Sequence, residues 1–146
     1  GKILIKFISI HQKKLNMETY ATTRHRVQLI NHEGKEVLIA DFSNAVTQEE
    51  MLEVLDEVGK RFEELDDKVY YIADITNTFN GPKVMKRVKE IGKKYLKHKC
   101  IINAVVGVSK IQTVLLEGLN SASLINMKPF RTKQDALNFF SKHRLS

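Results

Sequence analysis

The sequence is poor in the residues that staple or stiffen small proteins: 146 residues include one cysteine, two prolines and no tryptophan. Cys100 alone cannot form an internal disulfide, and a lone cysteine in a chain of this length fits a reducing compartment, so a cytoplasmic location is expected. No stretch approaches the roughly 20 consecutive apolar residues of a membrane-spanning helix, so no span is expected. With 42% hydrophobic and 28% charged residues the chain is neither disordered nor fibrous, and a core of ordinary size can hold it without metal or disulfide. One domain, 1–146, is expected, because no linker interrupts it.

Chemical motifs are equally scarce. The five histidines, His11, His25, His32, His98 and His143, show no ligand spacing, and His98-Lys99-Cys100 is a single coincidence, so no metal is expected. No Gly-x-Ser-x-Gly elbow raises a serine nucleophile. Gly59-Lys60 and Gly92-Lys93 lack the upstream glycine and following hydroxyl of a phosphate-binding loop, and both fall within helical patterns. Cys100 opens an apolar strand, where a thiol is inert packing. No catalytic constellation and no cofactor is expected.

What the chain has in abundance is positive charge, +7 overall, but in opposed blocks. Residues 49–67 carry nine acidic and two basic side chains; residues 83–99 carry eight basic ones and Glu90. On neighbouring helices the two blocks would neutralise one another. The alternative is anion or polyanion binding through the basic helix 83–99. Base stacking needs exposed aromatics among the basic residues, and the only one there, Tyr95, falls on the apolar phase, so nucleic acid is not expected.

The other abundance is repetition. Ile39-Ala40-Asp41-Phe42-Ser43-Asn44-Ala45 corresponds to Ile72-Ala73-Asp74-Ile75-Thr76-Asn77-Thr78, an offset of 33 residues that continues through Leu55/Val88 and Phe62/Tyr95. Each copy is an apolar run ending in Asp-x-Ser/Thr-Asn, followed by apolar residues at helical spacing: Met51, Leu55, Val58, Phe62 and Leu65, then Val84, Val88, Ile91 and Tyr95. Before the repeats, Arg26–Ile30 and Val37–Ala40 flank Asn31–Lys35, whose Gly34 suits a hairpin loop. Ile3–Ile10 also has the composition of a buried strand. After the repeats come a strand over Ile101–Val108 and a helix capped by Ser109, with inner stripe Ile111, Val114, Leu115 and Leu119, weakened by Gly118. A short strand over Leu124–Phe130, where Pro129 favours an edge or a strand end, then precedes a helix whose start, Thr132-Lys133-Gln134-Asp135, reads as a capping box. The fold class is therefore α/β: a mixed, mostly parallel sheet with an N-terminal antiparallel hairpin followed by β-α repeats, with about four helices packed on it.

Open α/β sheets bind ligands beyond the carboxyl ends of their strands. That criterion selects Asp41, Ser43, Asn44, Asp74, Thr76, Asn77, Thr78, Ser109 and Lys110 as candidate ligand- or partner-binding residues. The same residue types also satisfy their own backbone at turns and cap the following helix. A metal-assisted reaction at Asp41 and Asp74 would need both carboxylates to converge, and a third acidic ligand is not evident.

The order of elements, with Tyr70-Tyr71-Ile72-Ala73-Asp74, Ala104-Val105-Val106-Gly107-Val108 and the closing Lys128–Phe140 stretch, resembles the STAS superfamily, in particular its SpoIIAA-like branch, over residues 26–142. The resemblance implies a small regulatory module without catalysis, binding a protein partner or forming a homo-oligomer. In the anti-sigma antagonists of that family an Asp-Ser-Ser/Thr-Gly stretch carries a phosphorylated serine. This chain departs there, with Thr76-Asn77-Thr78-Phe79-Asn80-Gly81, which leaves Thr78 as the substitute phosphorylation site. The layout also resembles CRAL-TRIO lipid-transfer domains, which implies a small apolar ligand between helices and sheet as the alternative, a carrier needing an enclosed pocket. For the interaction module, an exposed apolar patch is expected beside the helix at Ile111–Ala122, whose Leu116 lies off the inner stripe.

Overall fold

The computed structural model describes residues 23–123 and 126–145. The Ile3–Ile10 strand expectation, and the start of the Leu124–Phe130 one, fall outside them. Five strands lie in sequence order across one sheet: β1 (Val27–His32), β2 (Lys35–Asp41), β3 (Val69–Asp74), β4 (Cys100–Val106) and β5 (Met127–Phe130). β1 and β2 are antiparallel, and β2 through β5 are parallel. The hairpin turns on Glu33 and Gly34, with φ of 51° and 83°, and Asn31 Oδ1 accepts the Gly34 N–H. Two left-handed residues give the turn the twist that a two-residue hairpin requires.

Three helices fill the parallel connections, α1 (Gln48–Glu64), α2 (Pro82–Ile91) and α3 (Lys110–Ser123), and a fourth, α4 (Lys133–Lys142), follows β5. α2 continues through a π turn, Gly92–Leu96, and a last short piece, Lys97–Lys99, into β4. Because β2 to β5 run parallel, each crossover lays a helix on the sheet. α1, α2 and Leu116 of α3 pack on one face, against Leu38, Tyr71, Ala73, Val105 and Met127. α4 packs on the other, with Ala136 and Phe140 against Tyr70, Ile72, Ala104 and Val106. Covered on both sides, all six residues of β3 are buried.

The larger core centres on Phe62, fully buried, its ring 5.4 Å from that of Tyr71 and stacked 5.7 Å from that of Tyr95. Tyr95 therefore faces the core, as its phase implied. The smaller core pairs the rings of Tyr70 and Phe140 at 4.8 Å. Its helix is tied down at the C-terminus, where Lys35 Nζ donates to the carbonyls of Phe140, Ser141 and His143. These bonds satisfy acceptors that a helix end leaves open.

The opposed charge blocks lie on neighbouring helices. Arg87 reaches Asp56 at 2.8 Å and Glu90 at 3.2 Å, and Lys94 reaches Glu63 at 3.3 Å. Tyr95 donates its hydroxyl to the same Glu63 at 2.7 Å, and Lys99 caps the end of α1 through the carbonyls of Phe62 and Leu65. The hydrogen bond from Tyr95, followed by that from Lys94, lowers the Glu63 pKa below its ordinary value.

One helix phase differs from expectation. Val114, assigned to the inner stripe of α3, is 68% exposed, whereas Leu116 is half-buried against the core. The inward positions include Gln112 and half-buried Asn120, polar residues that hydrophobic periodicity ignores. Asn120 is satisfied in both directions by the backbone of Met127, tying α3 to β5.

Candidate functional site

The 33-residue repeat is also the register of the sheet: Ile39, Ala40 and Asp41 pair with Ile72, Ala73 and Asp74. Both copies of Asp-x-Ser/Thr-Asn therefore end side by side, on adjacent strands about 4.8 Å apart. In the first, Asp41 Oδ1 accepts the N–H of Ser43 at 3.0 Å and its hydroxyl. In the second, Asp74 Oδ1 accepts the N–H of Thr76 at 3.1 Å and its hydroxyl at 2.7 Å. Each is an Asx turn, the local bond that makes Asp a turn residue.

The chain then swings through a left-handed asparagine in each copy, Asn44 at φ 63° and Asn77 at φ 52°, a conformation that asparagine tolerates better than most residues. Asn77 donates its side-chain amide to Asn44 Oδ1 at 3.1 Å, and the Asn44 N–H is received by the Thr76 carbonyl at 2.9 Å. Arg26 braces the first turn from outside by donating to the carbonyls of Asp41 and Ser43. Gly107, at φ 80°, seats the second: a Cβ there would lie 2.1 Å from Thr76 Oγ1 and 2.9 Å from its Cα.

The turns do not cap the helices that follow, contrary to the sequence-based expectation. Thr47 caps α1 by accepting the Glu50 N–H at 3.1 Å, while Glu50 accepts the Val46 N–H at 2.9 Å. α2 starts at Gly81 with no side-chain cap and Pro82 in its first turn. Two other caps follow expectation. Thr132 accepts from the Asp135 N–H, and Ser109 accepts from the Gln112 N–H while Gln112 returns the bond to the Ser109 N–H. Buried Gln112 also donates to Thr78 Oγ1 at 3.1 Å, and the Thr78 hydroxyl is itself given to the Ile75 carbonyl. One network thus connects Ser109 with the second turn, and Thr78 is engaged as both donor and acceptor. Lys110 is exposed in the first turn of α3.

The two aspartates stand at paired positions on neighbouring strands, but each carboxylate is used within its own turn. Among the described residues no group of three or more His, Cys, Asp or Glu gathers where a metal ion could sit. The hydroxyls of Ser43 and Thr76 donate to carboxylates inside turns, without the base and orienting third group that activate a nucleophile. Cys100 is held as a neutral thiol, its pKa pushed up by burial.

Two apolar side chains stand out at this rim. Val46 is 54% exposed and Phe79 is 37% exposed, and the Phe79 N–H is received by the carbonyl of Ala45, next to Val46. The Phe79 ring lies over Gly81, where an added Cβ would come within 2.7 Å of it. Periodicity could not find this pair, because both residues lie in the loops between strand and helix.

Concavities lie elsewhere among the described residues. The void between the sheet and α1 and α2, lined by Phe42, Leu55, Tyr71, Ile91 and Met127 among others, holds about 60 Å³. An open groove of about 480 Å³ runs beside β1, past Arg24, Leu29 and Arg61. A third, of about 380 Å³, lies at the opposite end of the sheet from the paired turns. No described helix is long and apolar enough to cross a membrane.

No family model matches the chain, and no curated protein matches it. A solved structure described as an anti-sigma-factor antagonist (STAS) domain protein from Planctomyces limnophilus is similar to it, with 14% identity, a TM-score of 0.46, and coverage of 77% of this chain and 95% of that one.

Proposed function

We propose that the chain is a non-enzymatic, STAS-like interaction module that binds a protein partner, or a second copy of itself, through the rim formed by the paired turns. The observation that carries this reading is the exposed Val46–Phe79 pair beside the Asn44–Asn77 bridge. Interfaces are anchored by a few apolar or aromatic side chains held rigidly. Here the anchors sit on turns whose side-chain acceptors Asp41, Asp74 and Asn44 are already satisfied internally. Such a rim presents shape and apolar area without a reactive group.

The carrier alternative calls for an enclosed apolar pocket of several hundred Å³. The void under the helices, at about 60 Å³, has room for about two waters. Polyanion binding through residues 83–99 is weakened by the commitment of Arg87, Lys94 and Lys99 to α1. A phosphate on Thr78 would have to break the bonds to Ile75 and Gln112, so a switch at that position would act by loosening α3 from the rim.

The test is capture from cells that express the protein, with wild type and the Val46→Asp/Phe79→Asp double variant as baits beside a Lys86→Asp control on the outer face of α2. The interaction reading expects a protein partner, or a second copy, held by wild type and control and lost by the double variant. Capture that survives the double variant would place the interface elsewhere.

A further inference from the structure

We propose that the cleft beside the amino-terminal half of β4 binds a small amphipathic anion, an apolar chain or ring carrying one negatively charged head group. This site is independent of the rim and lies at the other end of the sheet. Its volume of about 380 Å³ falls within the range of small-molecule sites. Leu96, Ile101, Ile102 and Phe139 give it apolar wall, Lys97 and Lys128 give it cations, and His143 adds an imidazole. None of the described lining residues is acidic, so nothing in the wall opposes an anion.

The backbone is irregular on both sides of this cleft. The π turn Gly92–Leu96 ends at one wall residue and delivers the next, Lys97. In the sheet, Val69 pairs with Cys100 but Tyr71 with Asn103, so β4 carries one extra residue, a bulge within the Ile101–Ile102 wall. π turns and β-bulges each insert a residue at a cost in regular hydrogen bonding, and both are enriched where a binding surface is shaped. Two of them converge here.

One ammonium and the imidazole are positioned by contacts. Lys128 Nζ sits 4.0 Å from the centre of the Phe139 ring, which fixes an ammonium beside an apolar surface. The His143 ring is held by a 3.0 Å hydrogen bond between its Nδ1 and the Tyr70 hydroxyl and by edge packing on the Tyr70 ring. An ammonium next to an apolar wall rewards a ligand that brings both an anion and a hydrocarbon body. Neither inorganic phosphate nor a neutral alcohol supplies both.

The experiment is amide chemical-shift mapping of the full chain with octanoate, octanol and inorganic phosphate, each to millimolar concentration. Octanoate is expected to shift Leu96–Asn103, Lys128, Phe139 and His143 saturably, with octanol at least tenfold weaker and phosphate without effect. The Lys97→Gln/Lys128→Gln variant, altered only at exposed positions, is expected to lose at least tenfold in octanoate affinity with an unchanged spectrum elsewhere. Equal binding of octanol, shifts produced by phosphate alone, shifts centred on the groove at Arg24, Leu29 and Arg61, no shift at all, or undiminished binding by the variant would each overturn the proposal.

Discussion

The two ends of the sheet solve the same problem in opposite ways. At the carboxyl ends, a polar sequence repeated at 33 residues folds into two matched turns, and Asp41, Asp74, Asn44, Thr78 and Gln112 all find partners nearby. At the amino ends, β4 begins with a bulge, α2 ends through a π turn, and Asn103 keeps a buried side-chain oxygen without a partner, the only such atom among the described residues. The first end is polar and satisfied, so its chemistry is exhausted in holding its own shape. The second is irregular and incompletely satisfied, so binding a ligand there has less order to overcome. A crowd of Asp, Ser, Thr and Asn is thus a poor marker of reactivity when each member closes its own turn.

Substitutions at the two ends should differ in size and even in sign. The largest loss is expected from Gly107→Ala, which combines a left-handed backbone with a collision at Thr76 and should cost about 3 kcal/mol in denaturant unfolding. A loss under about 1 kcal/mol would mean that the second turn is slack. Next, Asp74→Ala should cost about 2 kcal/mol and Asp41→Ala about 1 kcal/mol, because Asp74 is the more buried acceptor of two otherwise matched pairs. Equal losses would remove burial as the difference between the copies. At the amino end the sign reverses: Asn103→Leu should be neutral or stabilise by up to about 1 kcal/mol, since it removes a buried acceptor that has no partner. Marked destabilisation would show that Asn103 does unseen work in β4.

The smallest effect concerns the pairing of α1 with α2. The folded state holds the Glu63 pKa below its ordinary value, so its contribution is complete above that value and fades as pH falls through the lowered one. Glu63→Gln should therefore lose a little stability near neutral pH, with the difference from wild type shrinking as pH falls, so that the acid limb of the profile is slightly shallower. A difference from wild type that stays the same size, or grows, as the pH falls into the acid limb would contradict the assignment.

Much of this architecture was legible because it is local and periodic. Gly34 marked the hairpin, the 33-residue offset matched the pairing of β2 with β3, Pro129 marked an edge strand, and Thr132 and Ser109 marked caps. What was not legible depends on contacts between distant segments. The phase of α3 is set partly by Gln112 and Asn120, whose hydrogen bonds to Thr78 and Met127 let polar residues turn inward. The π turn leaves no mark in the Val84, Val88, Ile91, Tyr95 spacing, and the bulge at Ile101–Ile102 hides within an unbroken apolar run. The roles of Asp41 and Asp74 were half legible: their turns follow from their neighbours, but Thr47 and Pro82, not the aspartates, start the helices.

The interaction reading is tested most directly by hydroxyl-radical footprinting of the captured complex against the free chain, read at the exposed large apolar side chains among the described residues, Leu29, Val46, Phe79, Val114 and Leu145. Protection concentrated at Val46 and Phe79, with the other three unchanged, is the expected result. Protection centred on Leu29, Val114 or Leu145, with Val46 and Phe79 still oxidised as in the free chain, would contradict it.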